Sequence, residues 1–207
     1  MLTTKTVSEF LDEVASNSPA PGGGSVSALA GSLGAALTSM VCRLTIGKKK
    51  YADVQNEMES ILKKSEELRS KITATIEEDT VAFNGVMAAL ALPKETDDQK
   101  VLRNRAIQEA TKSATLVPLR LMSLCEEGID FAQIVAEKGN KNSLSDAGVS
   151  LLLLQAAANG AALNVRINLP GLDDQQFRDE AIEKVTSVIK RIDDTVNELM
   201  SSLIAKL

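Results

Sequence analysis

The sequence predicts an all-α protein: one helical domain over residues 1–207, a bundle of six or seven helices with two apolar helices at its centre. Three observations predict it. Apolar residues recur three and four apart along most of the chain, and no segment alternates with period two for long. Residues 25–42 and 147–165 carry no charge at all. Aromatics are 2% of the chain, so a core of Ala, Leu, Val and Ile must draw backbones close together, as packed helices do.

Taken in order, a short amphipathic helix is expected over residues 7–16, with Val7, Phe10, Leu11 and Val14 on one face, and SPAPGGG breaks it. Residues 25–46, SVSALAGSLGAALTSMVCRLTI, read as a helix apolar all round and so buried on all sides. From Val54 to Leu90 an apolar stripe runs through Met58, Ile61, Leu68, Ile72, Ile76, Phe83 and Met87, with Pro93 as the stop. A helix over 97–127 follows, with Pro118 expected to kink or divide it. A short helix near 129–137 and the polar loop KGNKNSLSD lead into the second apolar helix, 147–165. The final helix carries Phe177, Ala181, Val185, Val188, Ile192, Val196, Leu199 and Leu203 on one face.

The two apolar segments approach the length of a membrane span. The first has few large apolar residues, the second contains Gln155, Asn159 and Asn164, and neither has aromatic anchors. Central helices of a soluble bundle are the expectation, with no membrane partner. A net charge of −5 and the scarcity of aromatics argue against nucleic acid. Cys42 and Cys125 form neither a disulfide framework nor a metal-ligand spacing, and the N-terminus shows no apolar signal region, so a cytoplasmic location is expected. The chain has no histidine, which removes His-based nucleophile systems and the common zinc sites. Proton transfer, if there is any, falls to Asp, Glu, Lys or Tyr.

Function is expected where a residue disagrees with its pattern. Asp79 lies on the apolar stripe, three residues after Ile76 and four before Phe83, where a carboxylate is costly unless paired or used. The turn PAPGGGS, with Pro21, Gly22, Gly23, Gly24 and Ser25, opens the first apolar helix; its free N–H groups suit an anion, or it is simply a tight entry. GKKKY places Lys50 and the single tyrosine, Tyr51, after that helix, as an anion site or as cations at a helix C-terminus. Asn140, Asn142, Ser143, Ser145 and Asp146 crowd the entrance to the second apolar helix, more than a cap needs. Asn164 and Asn168 flank Arg166 at its far end, as readers of a heterocycle or as partners of loop backbone.

PAPGGGSVSALAGSLGAAL, GKKKY, EEDTVAFNGVM, KGNKNSLSDAG and AALNVRINLPGL together resemble the cyclodeaminase/cyclohydrolase family over nearly the whole chain. That family includes formiminotetrahydrofolate cyclodeaminase domains and stand-alone methenyltetrahydrofolate cyclohydrolases. The resemblance implies an all-α homodimer with a folate pocket near the subunit interface and no metal or redox cofactor. It implies a cyclohydrolase, because the chain stands alone and TIGKKKY looks most like the cyclohydrolases. A cyclodeaminase that releases ammonia and an inactive helical scaffold are the alternatives. On this reading Asp79 and Asp146 share water activation and cation stabilisation, and Lys50 with Tyr51 handles a proton or holds the glutamate tail. The PGGGS turn binds substrate through its N–H groups. Asn140, Asn142, Asn164 and Asn168 read the pterin edge, with Ser145 beside them.

Overall fold

The computed structural model describes residues 1–206. Six α-helices carry the fold: α1 (Val7–Val14), α2 (Gly23–Thr45), α3 (Gln55–Leu90), α4 (Asp97–Lys138), α5 (Leu144–Asn168) and α6 (Gln175–Ile204). Short 3-10 turns join some of them, and no strand occurs among the described residues. The helix starts follow side-chain chemistry. Thr6 with Glu9 and Thr96 with Gln99 form reciprocal capping boxes at α1 and α4, and Asp174 accepts from the Phe177 amide at α6.

Helix α2 is the axis of the arrangement. Ser25 meets Asp79 at one end of α3 and Ser39 meets Ser65 further along, so α2 and α3 run antiparallel. Thr38 bonds to Ser150, and Asn140 bonds to Thr45, so α5 also runs antiparallel to α2. The contacts are close. A Cβ on Gly34 would lie 2.8 Å from Leu154 Cγ, too near for any side chain to fit unshifted. Helix α4 closes over α3 and α5, and α6 lies on α4 and α5 with Ala181, Val185, Val188, Ile192 and Val196 inward.

Two sequence expectations change here. Helix α4 runs unbroken through Pro118, so the separate helices 97–127 and 129–137 are one element of 42 residues. Proline has no N–H, which leaves the carbonyl of Ala114 without its helical donor. Asn168 Nδ2 donates to that carbonyl at 3.2 Å, and the helix is mended from a neighbour.

The second change concerns the apolar helices. They supply much of the core, yet they are not covered on all sides. Of their most apolar stretches, 61% of α2 and 50% of α5 is buried. Val26, Leu33 and Leu44 on α2 are exposed, as are Val149, Leu152, Leu163 and Ile167 on α5. Leu29, Ala30, Leu37 and Met40 lie half-buried between the α2 residues. Positions 26, 30, 33, 37, 40 and 44 alternate in steps of four and three, the spacing of a helix that packs along a partner.

Candidate functional site

The α2 N-terminus, α3 and α5 converge on Asp79. Gly22 caps α2 and offers no side chain to the first turn of the helix. The carboxylate of Asp79 fills that position from α3 instead. It lies against Gly24, where any Cβ would overlap it, so glycine is required here by close approach rather than by backbone conformation. Ser25 is fully buried and donates to Asp79 Oδ2 at 3.0 Å; the same hydroxyl lies 2.9 Å from the Ile76 carbonyl and 3.2 Å from Thr80 Oγ1.

Burial raises the Asp79 carboxyl above its ordinary pKa, and the hydroxyl and amide of Ser25 pull it partly back. Asp79 is only half-buried, so it is not sealed inside the core. Its neighbours are engaged elsewhere: Glu77 accepts from the Thr3 amide at 2.9 Å, and Glu78 pairs with Arg120. Asn164 closes the other side of the α2 turn. A Cβ on Gly23 would lie 3.4 Å from its Nδ2, which donates to the Gly160 carbonyl at 2.8 Å. Pro21 leads in through a cis peptide bond after Ala20. Pro21, Gly22, Gly23, Gly24, Ser25, Asp79 and Asn164 therefore form one constellation.

The remaining sequence candidates lie at the opposite end of α2. Lys141 N donates to the Tyr51 hydroxyl at 2.9 Å, which lies 3.4 Å from Asn140 Oδ1. Lys50 Nζ stands 5.7 Å from the centre of the Tyr51 ring. Ser145 and the half-buried Asp146 occupy the first turn of α5 beside them. From Ser25 to Thr45 the helix rises about 30 Å at 1.5 Å per residue. Asp79 cannot share a reacting atom with Asp146 or Lys50 of the same chain.

Two amides expected to read a ligand are occupied by the fold. Asn140 is buried; its Nδ2 donates to the Leu44 carbonyl, its N–H to Thr45 Oγ1, and its Oδ1 accepts from the Asn142 amide. Asn168 mends α4 at Ala114, as described above. Sequence reasoning missed Thr80 and the Gly160–Ser27 contact. Ser27 Oγ fills the space a Cβ on Gly160 would need and donates to the Gly23 carbonyl at 2.6 Å. Thr80 carried no signal beyond standing next to Asp79. Among the described residues no cluster of acidic and thiol groups could hold a metal ion.

The family model described as formiminotransferase-cyclodeaminase matches residues 6–187. The chain belongs to this family. A methenyltetrahydrofolate cyclohydrolase from Methylorubrum extorquens is 50% identical over 189 residues, which cover 91% of each chain. The formimidoyltransferase-cyclodeaminase of Rattus norvegicus is 32% identical over 95% of this chain, which spans only 36% of that longer protein. The crystal structure of formiminotetrahydrofolate cyclodeaminase from Thermotoga maritima superposes with a TM-score of 0.88 at 31% identity, covering 99% of this chain and 98% of that one. Since the Thermotoga chain is of matching length, chain length does not separate the two activities. Identity does favour one of them, at 50% against 31% and 32%.

Proposed function

We propose that this protein is a methenyltetrahydrofolate cyclohydrolase and that Asp79 is its central catalytic group. The carrying observation is a half-buried carboxylate with a raised pKa, held on a helix N-terminus by Ser25, in a chain half-identical to a cyclohydrolase.

The substrate carries a cationic carbon between N5 and N10. On this reading Asp79 stabilises that cation and takes a proton from the attacking water. The carbon–oxygen bond forms and Asp79 becomes a neutral acid. The carbon–N5 bond then breaks as Asp79 returns its proton to N5, while the hydroxyl proton of the adduct leaves to solvent. The products are 10-formyltetrahydrofolate and one proton. The carbon is electrophilic from the start, so the reaction asks for no metal or redox cofactor. A carboxylate whose pKa is raised is the stronger base, which suits this work in a chain without histidine.

A homodimer is part of the proposal. The exposed stripe on α2 and α5 has the composition of an interface, and a second copy is the occupant that its continuous apolar character fits. A two-fold axis crossing the middle of α2 sets the N-terminal end of one α2 beside the C-terminal end of the other. Lys50, Tyr51, Asn142, Ser145 and Asp146 of one copy then complete the pocket begun by Asp79 and Asn164 of its partner. Covering the apolar face in this way also favours a soluble, cytoplasmic protein.

The test is the near-ultraviolet absorbance of methenyltetrahydrofolate mixed with the protein. Loss faster than the buffer blank is the expected result. An unchanged rate, followed by rising absorbance when formiminotetrahydrofolate is supplied, would make the protein a cyclodeaminase. Neither change, with no folate-dependent rise in melting temperature, would leave a helical scaffold.

A further inference from the structure

The hydroxyl of Ser25 has one proton and three oxygen neighbours, all on α3. They are the Ile76 carbonyl at 2.9 Å, Asp79 Oδ2 at 3.0 Å and Thr80 Oγ1 at 3.2 Å. Two of the three can only accept. Thr80 is the one neighbour able to donate, and a bond from Thr80 leaves Ser25 acting as donor toward α3. The Ile76 carbonyl already receives the helical N–H of residue 80, so an ionised carboxylate is the stronger of the two remaining acceptors.

We propose that Thr80 is a positioning residue for the reaction, its hydroxyl donating to Ser25 and thereby aiming the Ser25 proton at Asp79. The chain runs Thr80 O–H to Ser25 Oγ, and Ser25 O–H to Asp79 Oδ2. It supports Asp79 while the carboxylate is charged. When Asp79 takes the proton of water, Ser25 turns to the Ile76 carbonyl, 2.9 Å away, and no polar group is stranded. Proton uptake and release at Asp79 thus need only a hydroxyl rotation. Ser25 becomes part of the catalytic support instead of a ligand to substrate. Other groups around Asp79 do not compete for this role. Helix α2 presents Gly24 and Ser25 to it, Asn164 of α5 is turned to Gly160, Glu77 binds the Thr3 amide of the N-terminal segment, and Arg120 of α4 pairs with Glu78.

The inference rests on Asp79 as the base and is separable from it by experiment. The cyclohydrolase rate is measured against pH for wild type, Thr80→Val, Thr80→Ser and Asp79→Asn, with a blank at every pH. Activity falls on the acid side as Asp79 is protonated. Thr80→Val weakens the support of the charged form and moves that acid limb upward by about half a pH unit, with KM unchanged. Thr80→Ser keeps the hydroxyl and restores the wild-type profile. A Thr80→Val profile that overlays wild type, or a Thr80→Ser profile displaced as far as Thr80→Val, overturns the inference while Asp79→Asn remains inactive. Full turnover in Asp79→Asn overturns the catalytic reading itself. If Thr80→Val does not fold, Thr80→Ala is measured in its place with the same expectations.

Discussion

The two ends of α2 both stand out in the sequence as candidate sites, and they differ in what their polar residues do. At the N-terminal end, glycines, a serine, a carboxylate and an amide meet with bonds to spare. Asp79 is held by the hydroxyl of Ser25 at 3.0 Å and by its amide, and burial raises its pKa. At the C-terminal end, Asn140 uses its side-chain carbonyl, its side-chain amide and its backbone N–H within the protein. The first arrangement holds a group at an energetic cost that ligand chemistry can use. In the second, Asn140 ties α2, the turn carrying Tyr51 and the start of α5 into one joint, which seats Lys50, Ser145 and Asp146 beside it. A polar residue in a sequence therefore serves a site or a joint according to how much of its bonding capacity the fold consumes.

Four changes would break or sharpen that contrast. The largest effect belongs to Gly24→Ala, whose methyl group must displace the Asp79 carboxylate. Turnover should fall by roughly a hundredfold or more, since the base moves from its place, while circular dichroism still reports a helical protein. Wild-type turnover in this variant would show that the carboxylate's seat on α2 is irrelevant to chemistry.

Leu33→Glu comes next. Leu33 is 50% exposed near the middle of α2, where a two-fold axis would set it against its own copy. Paired carboxylates there should convert dimers to monomers in light scattering and remove most of the activity. A variant that remains dimeric, or an active monomer, would place the interface or the pocket elsewhere.

The third change is a mixture. If Asp79 of one copy works with Asp146 of its partner, Asp79→Asn and Asp146→Asn dimers should each be nearly inactive. Unfolded together and refolded one to one, half the dimers are mixed, and each mixed dimer holds one intact site of two. About a quarter of wild-type activity should return. An Asp146→Asn protein active by itself would confine the chemistry to the Asp79 end, and a mixture with no recovery would contradict a pocket shared between two copies.

The smallest effect on chemistry is expected from Asn140→Ala. It strands the Leu44 carbonyl and the Asn142 amide, so stability should drop by about 1–3 kcal/mol, with turnover kept at temperatures where the protein is folded.

Much of this fold was legible because its rules are local. The period of three and four located every long helix, and charge-free runs marked α2 and α5. Helix α4 was misread because a proline's cost depends on what repairs it, and the repair, Asn168, lies 54 residues along the chain from the Ala114 carbonyl it satisfies. The apolar helices were expected to be covered on all sides because composition reports hydrophobicity and not which chain covers it. Asp79 was visible because a carboxylate on an apolar stripe is a local contradiction. Its separation from Asp146 was not visible, since that follows from α5 running antiparallel to α2. The occupation of Asn140 was equally hidden, because hydrogen-bond partners belong to tertiary structure.

The account is tested most directly by measuring turnover and melting temperature side by side for Asp79→Asn and Asn140→Ala. The Asp79 carboxyl is held above its ordinary pKa, so folding stability from this group is full at low pH and is lost as pH rises through the raised value. At neutral pH the buried charge therefore costs stability, and Asn at this position removes that cost. The predicted result is Asp79→Asn with turnover lower by about a hundred- to ten-thousandfold and a melting temperature equal to or above wild type, against Asn140→Ala with lowered melting and preserved turnover. The reverse pattern, an active but destabilised Asp79→Asn, would make Asp79 a helix cap and nothing more, and contradict the assignment of the site.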